Sequence, residues 1–184
     1  MPNWIRAVMF FVIGFLWIAS PDHARYYSAE GWIRRAYRKR RWNKVEALSR
    51  KYLDMAERLR PDWNYGNAIH NGNQFIGLVR LRQEDIEGAK EYLLRAGLSP
   101  GSPQLDSSGP TMTLARELLE RGERVVVLEY VDLIATFWTE AKPRHAVQPG
   151  AGDILEEKKR MVQQWKLDIA AGRIPEYYLW HHAA

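Results

Sequence analysis

NAIHNGNQFIGLVRLRQEDIEGAKEYLLRAG, residues Asn67 to Gly97, reads as two antiparallel helices joined by a tight polar turn. In the first, Ile69, Gly72, Ile76 and Val79 recur at three- and four-residue steps, and in the second Ile86, Ala89, Leu93 and Ala96 do the same. Each helix therefore presents one apolar face. Small residues stand where two helix axes must come close: Gly77 in the first helix, Ala89 and Ala96 in the second.

Working outward, the flanking segments repeat this pattern. Lys44 to Arg60 carries Val45, Leu48, Tyr52, Met55 and Leu59 on one face and is stopped by Pro61, while Ser28 to Arg41 is helical with Trp32, Ile33, Ala36 and Tyr37 on one side. On the other side of the pair, Leu98 to Pro110 (LSPGSPQLDSSGP) is so rich in Pro, Gly and Ser that it is expected to form a surface loop without helix. Pro110 then suits the first turn of a helix to Arg121 with Met112, Ala115, Leu118 and Leu119 inward and Gly122 as its left-handed end. Glu123 to Trp138 follows, burying Val127, Tyr130, Val131, Ile134 and Phe137. After the breaker-rich 142–152, Asp153 with Glu156 makes a capping signature for a last helix carrying Leu155, Val162, Trp165 and Ile169.

The small residues at these offsets resemble a tetratricopeptide repeat, although Asn73 stands where that repeat prefers Trp. Setting the three helix pairs on one frame gives starts near Glu30, His70 and Ser108, a spacing longer than the repeat's ~34 residues. The combination of GNAIHNGN, LLRAGLSPGSPQLDSSGPTMTLARELLERGE and VVLEYVDLIATFW looks like an uncharacterised family of bacterial repeat-like proteins related to tetratricopeptide proteins, over about Asn67 to Trp138. The resemblance implies paired helices that hold other proteins and carries over no catalytic residue. Where such grooves bind acidic peptide ends, the matching positions here are Asn71, Gln74 and Leu78, which form a possible groove.

At 184 residues, with 46% apolar and 27% charged side chains, the chain suits one domain plus an appendage, and the absence of Cys excludes disulfides and thiolate chemistry. The appendage is the N-terminus, apolar without interruption from Ala7 to Ala19. That is shorter than the ~20 residues of a full span. The small residues a signal peptidase needs are missing, because Trp17 precedes Ala19 and Ile18 precedes Ser20 at the wrong places, and Pro21 follows. An uncleaved anchor is expected, with Trp4 and Trp17 as interfacial residues. The formal charge of +5 is uneven: Arg34, Arg35, Arg38, Lys39, Arg40, Arg41 and Lys44 lie in a run without an acid, so everything else sums to −2. Placed just past an anchor, that run faces anionic lipid headgroups or a membrane partner; nucleic acid is the least favoured occupant. Positive residues stay inside, which puts the domain in the cytoplasm.

Reactive groups are sparse. His70 with Asp106 and Ser107 or Ser108 has no spacing that sets a hydroxyl beside a base, and His70 is better read as a polar helix residue packed on the Pro-rich loop. His23, His145, His181 and His182 are scattered and no HExxH occurs, so neither metal nor cofactor is expected. The chain is thus expected to be all-α: a membrane anchor over 1–20, a right-handed array of about three tetratricopeptide-like hairpins over 21–141, a linker at 142–152, and a capping helix with an aromatic tail over 153–184. The expected role is a non-catalytic membrane-anchored adaptor, an accessory subunit of a larger membrane complex, with a respiratory or photosynthetic assembly as one host. The alternatives are a periplasmic repeat protein released by cleavage and a hydrolase-type enzyme built on the Pro-rich loop.

Overall fold

The computed structural model describes residues 21–140 and 151–176, and among them every regular element is an α-helix. In chain order these are α1 (Pro21–Arg38), α2 (Trp42–Arg58), α3 (Tyr65–Arg82), α4 (Ile86–Gly97), α5 (Pro103–Ser108), α6 (Thr113–Leu119), α7 (Arg124–Trp138) and α8 (Ala151–Ala170). The expected anchor with Trp4 and Trp17, most of the linker and the aromatic tail from Tyr177 lie outside the described residues. Among the described residues no helix is long and apolar enough to cross a membrane.

Three hairpins, α1–α2, α3–α4 and α6–α7, close through one device. Arg40 (φ 52°), Glu84 (φ 59°) and Gly122 (φ 86°) are left-handed. In each turn that residue's N–H donates to the carbonyl three back, at Tyr37, Leu81 and Leu119, and the following N–H donates to the carbonyl five back, at Ala36, Arg80 and Leu118. This is the Schellman pattern, which satisfies helix-end carbonyls and reverses the chain within a few residues. Gly172 (φ 79°) repeats it after α8, with Arg173 N–H on the Asp168 carbonyl.

The helices pack mainly on their neighbours: α1 on α2, α2 on α3, α3 on α4, α4 on α7, and α7 on α8, with α6 set against α4 and α7. The inward faces read from periodicity are buried, including Val45, Tyr52, Met55, Ile76, Val79, Ala89, Leu93, Ala96, Leu118, Val131, Ile134 and Ile169. Gly77 allows a close approach of α3 to α4, since a Cβ there would lie 3.4 Å from the Ala89 carbonyl oxygen and 2.3 Å from Leu114 Cδ2. On α8 the buried Val162, Trp165 and Ile169 cover the last hairpin, each contributing about 1.5–3 kcal/mol of burial. Trp165 stacks on Trp138 with ring centroids 5.5 Å apart, so Trp165→Ala would break this contact.

Five expectations are corrected. The Pro-rich stretch holds a helix, α5, because Ser102 caps it by accepting the Leu105 N–H, Pro103 supplies its first turn and Gly109 (φ 78°) ends it. α1 is already helical at Pro21, well before Ser28, and α6 starts at Thr113 rather than Pro110. Trp32 is 62% exposed, because the buried stripe of α1 runs through Tyr26, Ala29, Ile33 and Ala36. α8 is already helical at Ala151, two residues before Asp153, so Glu156 pairs with Lys159 instead of capping.

Candidate functional site

The most polar part of the interior is α3, whose buried residues include Asn67, His70, Asn71, Asn73 and Gln74. A helix buried on all sides must find partners for such groups. The Pro-rich segment, α1 and α7 supply most of them, while Asn73 bonds back to the Ile69 carbonyl of its own helix and Gln74 Oε1 is left without a partner among the described residues. Ser102 Oγ donates to Asn67 Oδ1 at 2.5 Å, Asn67 Nδ2 donates to Asn64 Oδ1 and Gln104 Oε1, and Ser99 Oγ donates to the Gly66 carbonyl. Gln74 Nε2 reaches the Thr111 carbonyl and the Tyr130 hydroxyl, each at 3.0 Å. The approach is close enough to require Gly66, where a Cβ would fall 1.9 Å from the Gly101 carbonyl oxygen.

His70 sits at the centre of this seam, fully buried. The Thr111 N–H donates to its Nε2 at 3.0 Å, which fixes the proton on Nδ1, and Nδ1–H donates to the Ala96 carbonyl at 3.1 Å. Burial favours the neutral ring and pulls its pKa down to about 4, with the Nδ1–H bond to the Ala96 carbonyl opposing in part. Both ring nitrogens are therefore taken by backbone groups. Asp106 receives Lys158 Nζ from α8 at 3.0 Å, with the same ammonium on the Asp106 carbonyl at 2.7 Å. Ser107 donates to the Gln104 carbonyl.

The groove expected at Asn71, Gln74 and Leu78 is filled from within. All three are buried, at 6%, 2% and 2% exposure. Asn71 Nδ2 donates to Glu30 Oε2 of α1 and its Oδ1 receives the Thr111 hydroxyl, while Leu78 belongs to the apolar core. The physical reason is that α1 and the segment after α5 fold over the inner face of α3.

The basic run divides into two groups. Arg34 is partly buried, paired with Glu30 at 2.6 Å and placed over the Phe75 ring. Arg35, Arg38, Lys39, Arg40, Arg41 and Lys44 are exposed and form no ion pair among the described residues. They gather at the C-terminal end of α1, where the helix-end carbonyls favour Arg35 and Arg38, and in the connecting turn and first turn of α2, which carry Lys39, Arg40, Arg41 and Lys44. Arg35, Lys39, Arg41 and Lys44 line a cleft of about 640 Å³ together with Tyr27, Gly31, Trp32 and Ala36. A smaller cleft of about 240 Å³ adjoins it across Ser28 and Trp32 and is lined by Ala29, Leu48, Met55, Arg25 and Lys51. Tyr27 donates to Asp62 Oδ2 at 2.6 Å and stacks on Trp63; burial, then the bond to Asp62, pushes its pKa up to about 12.

Sequence reasoning singled out the exposed cations and missed Tyr27, Lys44 as a cleft residue, Trp63 and the apolar slot. The available signal was the stripe Arg25, Ser28, Trp32, Arg35, Lys39, which steps by three and four along the outer face of α1. Among the described residues no group of three or more His, Asp or Glu side chains is gathered as for a metal ion. Comparison with protein-family models, with curated proteins and with solved structures finds no match, so the chain is read from its own geometry.

Proposed function

We propose that the chain is a membrane-anchored, non-catalytic adaptor, an accessory subunit that holds other proteins of a larger membrane complex on the cytoplasmic face. In this reading the hairpins form a right-handed tetratricopeptide-like array, residues 1–20 anchor it, and α8 caps its far end. One observation carries the proposal. Of the residues weighed for a triad, His70, Asp106 and Ser107 are committed to structural hydrogen bonds, whereas exposed cations without an ion pair among the described residues gather on the outer face of α1 and its turn. Such a face steers and holds partners of opposite charge. The apolar run Ala7 to Ala19 directly before α1 supports the membrane location.

Gentle detergent extraction followed by native mass measurement tests this. The expected result is a complex of fixed stoichiometry that exceeds the mass of the chain, with Met1 retained on the mature protein and the chain resisting an alkaline carbonate wash. A chain that runs alone in every mild detergent, or begins after Ser20, overturns it.

A further inference from the structure

We infer that the outer face of α1 seats one anionic phospholipid, so that α1 lies along the membrane plane; this deepens the membrane reading above and rests on it. The geometry is that of an amphiphile. Arg35, Lys39, Arg41 and Lys44 converge on a cleft of about 640 Å³, within the ~300–1,000 Å³ range of small-molecule sites. Across Trp32 lies the smaller slot, whose floor is Ala29, Leu48 and Met55. A phosphodiester placed among the four cations directs its glycerol past the Trp32 indole and its first methylenes into that slot.

The two clefts acting together select the occupant. Four exposed cations with no ion pair among the described residues call for an anion. Inorganic phosphate or a soluble glycerophosphate would satisfy them but leave the apolar slot and the exposed indole against water. A nucleic-acid strand would use the cations and stack on Trp32, but no part of a nucleotide matches a slot floored by Leu48 and Met55. A phospholipid uses both, and an indole at 62% exposure beside cations is the arrangement found at headgroup depth. The stripe Arg25, Ser28, Trp32, Arg35, Lys39 spans much of α1, so the helix meets a headgroup layer lengthwise.

The test uses the full chain in neutral detergent, titrated with phosphatidylglycerol or phosphatidylcholine, with retained lipid counted by native mass measurement. One phosphatidylglycerol per chain is expected at concentrations where phosphatidylcholine is not retained, weakening as salt rises. The variant R35Q/K39Q/R41Q/K44Q should bind about 600-fold more weakly, since each cation near an anionic headgroup contributes a factor of about five. Trp32→Ala should weaken binding roughly tenfold without changing its salt dependence. Arg116→Gln, on α6 and paired with Glu120, should change nothing. All are exposed positions, and unchanged helical content verifies folding.

Equal retention of the two lipids, or undiminished binding by the quadruple variant, overturns the inference. Displacement by glycerophosphate would reassign the cleft to free phosphate esters, and displacement by a single-stranded oligonucleotide would reassign it to nucleic acid. A chain that copurifies without protein partners yet retains the lipid removes the adaptor reading and keeps this one; a stable complex indifferent to phosphatidylglycerol does the reverse.

Discussion

Gly66→Ala adds one methyl group at the point where the Pro-rich segment crosses the start of α3. The new Cβ would stand 1.9 Å from the Gly101 carbonyl oxygen and 2.4 Å from its carbon, both main-chain atoms. No rotamer relieves that contact, so the segment must retreat by about 1.5 Å to reach ordinary van der Waals distance. Retreat stretches the Ser99 to Gly66 bond (2.8 Å) and the Ser102 to Asn67 bond (2.5 Å). Overpacking costs about 1–3 kcal/mol and each weakened bond up to about 1 kcal/mol, offset by at most about 1 kcal/mol of helix propensity. The net loss is about 2–3 kcal/mol, which lowers Tm by about 5–10 °C in a domain of this size. Gly31→Ala is the matched control. It sits inside α1 with nothing within 4 Å of its Cβ position and should gain about 0.5–1 kcal/mol. Thermal unfolding followed by circular dichroism measures both. If the two variants moved Tm in the same direction, the close crossing at Gly66 would be wrong.

Glu84→Gly should stabilise the chain by about 0.5–1 kcal/mol in urea titration, because Glu84 is exposed and left-handed (φ 59°) at a Schellman turn where glycine carries no Cβ penalty; a loss of stability would contradict the turn. His70 sets a pH dependence. Its pKa falls from 6.5 unfolded to about 4 folded, so between these values the unfolded chain holds more protons and stability drops as pH falls. The contribution is complete above pH ~6.5 and amounts to about 3 kcal/mol, so the stability difference between the wild type and His70→Gln should shrink by that much between pH 7 and 4. A constant difference across that range would show that His70 does not titrate with unfolding.

Helix existence is legible in this sequence wherever one apolar face runs for three turns, as in α2, α3, α4 and α7. It is less legible where the helix is short. Ser102, Pro103 and Gly109 carry the start and stop signals of a six-residue helix, but read as composition alone they look like breakers. Trp32 illustrates a second limit. Apolar character argues for the inside, and only the register of Tyr26, Ala29, Ile33 and Ala36 turns the indole outward. The filled groove illustrates a third. Asn71 and Gln74 look available on their own helix, and their partners, Glu30 and Thr111, stand some 40 residues away in sequence, where no local pattern reaches. The exposed cations needed no partner and were readable from charge alone, whereas the slot beside them is made by side chains of two helices and has no sequence signature.

The uneven enclosure of the helices has a mechanical consequence. α3 is gripped by α2, α4, α6 and the Pro-rich segment and touched by α1, whereas α1 rests chiefly on α2 and only secondarily on α3. A pull applied at Pro21 loads α1 edge-on and peels its contacts one turn after another, while the same pull reaching α3 must shear a whole set of side chains at once. Peeling yields at lower force than shearing. Tension at the first helix therefore loads the α1–α2 hairpin first and reaches the seam around His70 through the Glu30 to Asn71 and Asn71 to Thr111 bonds.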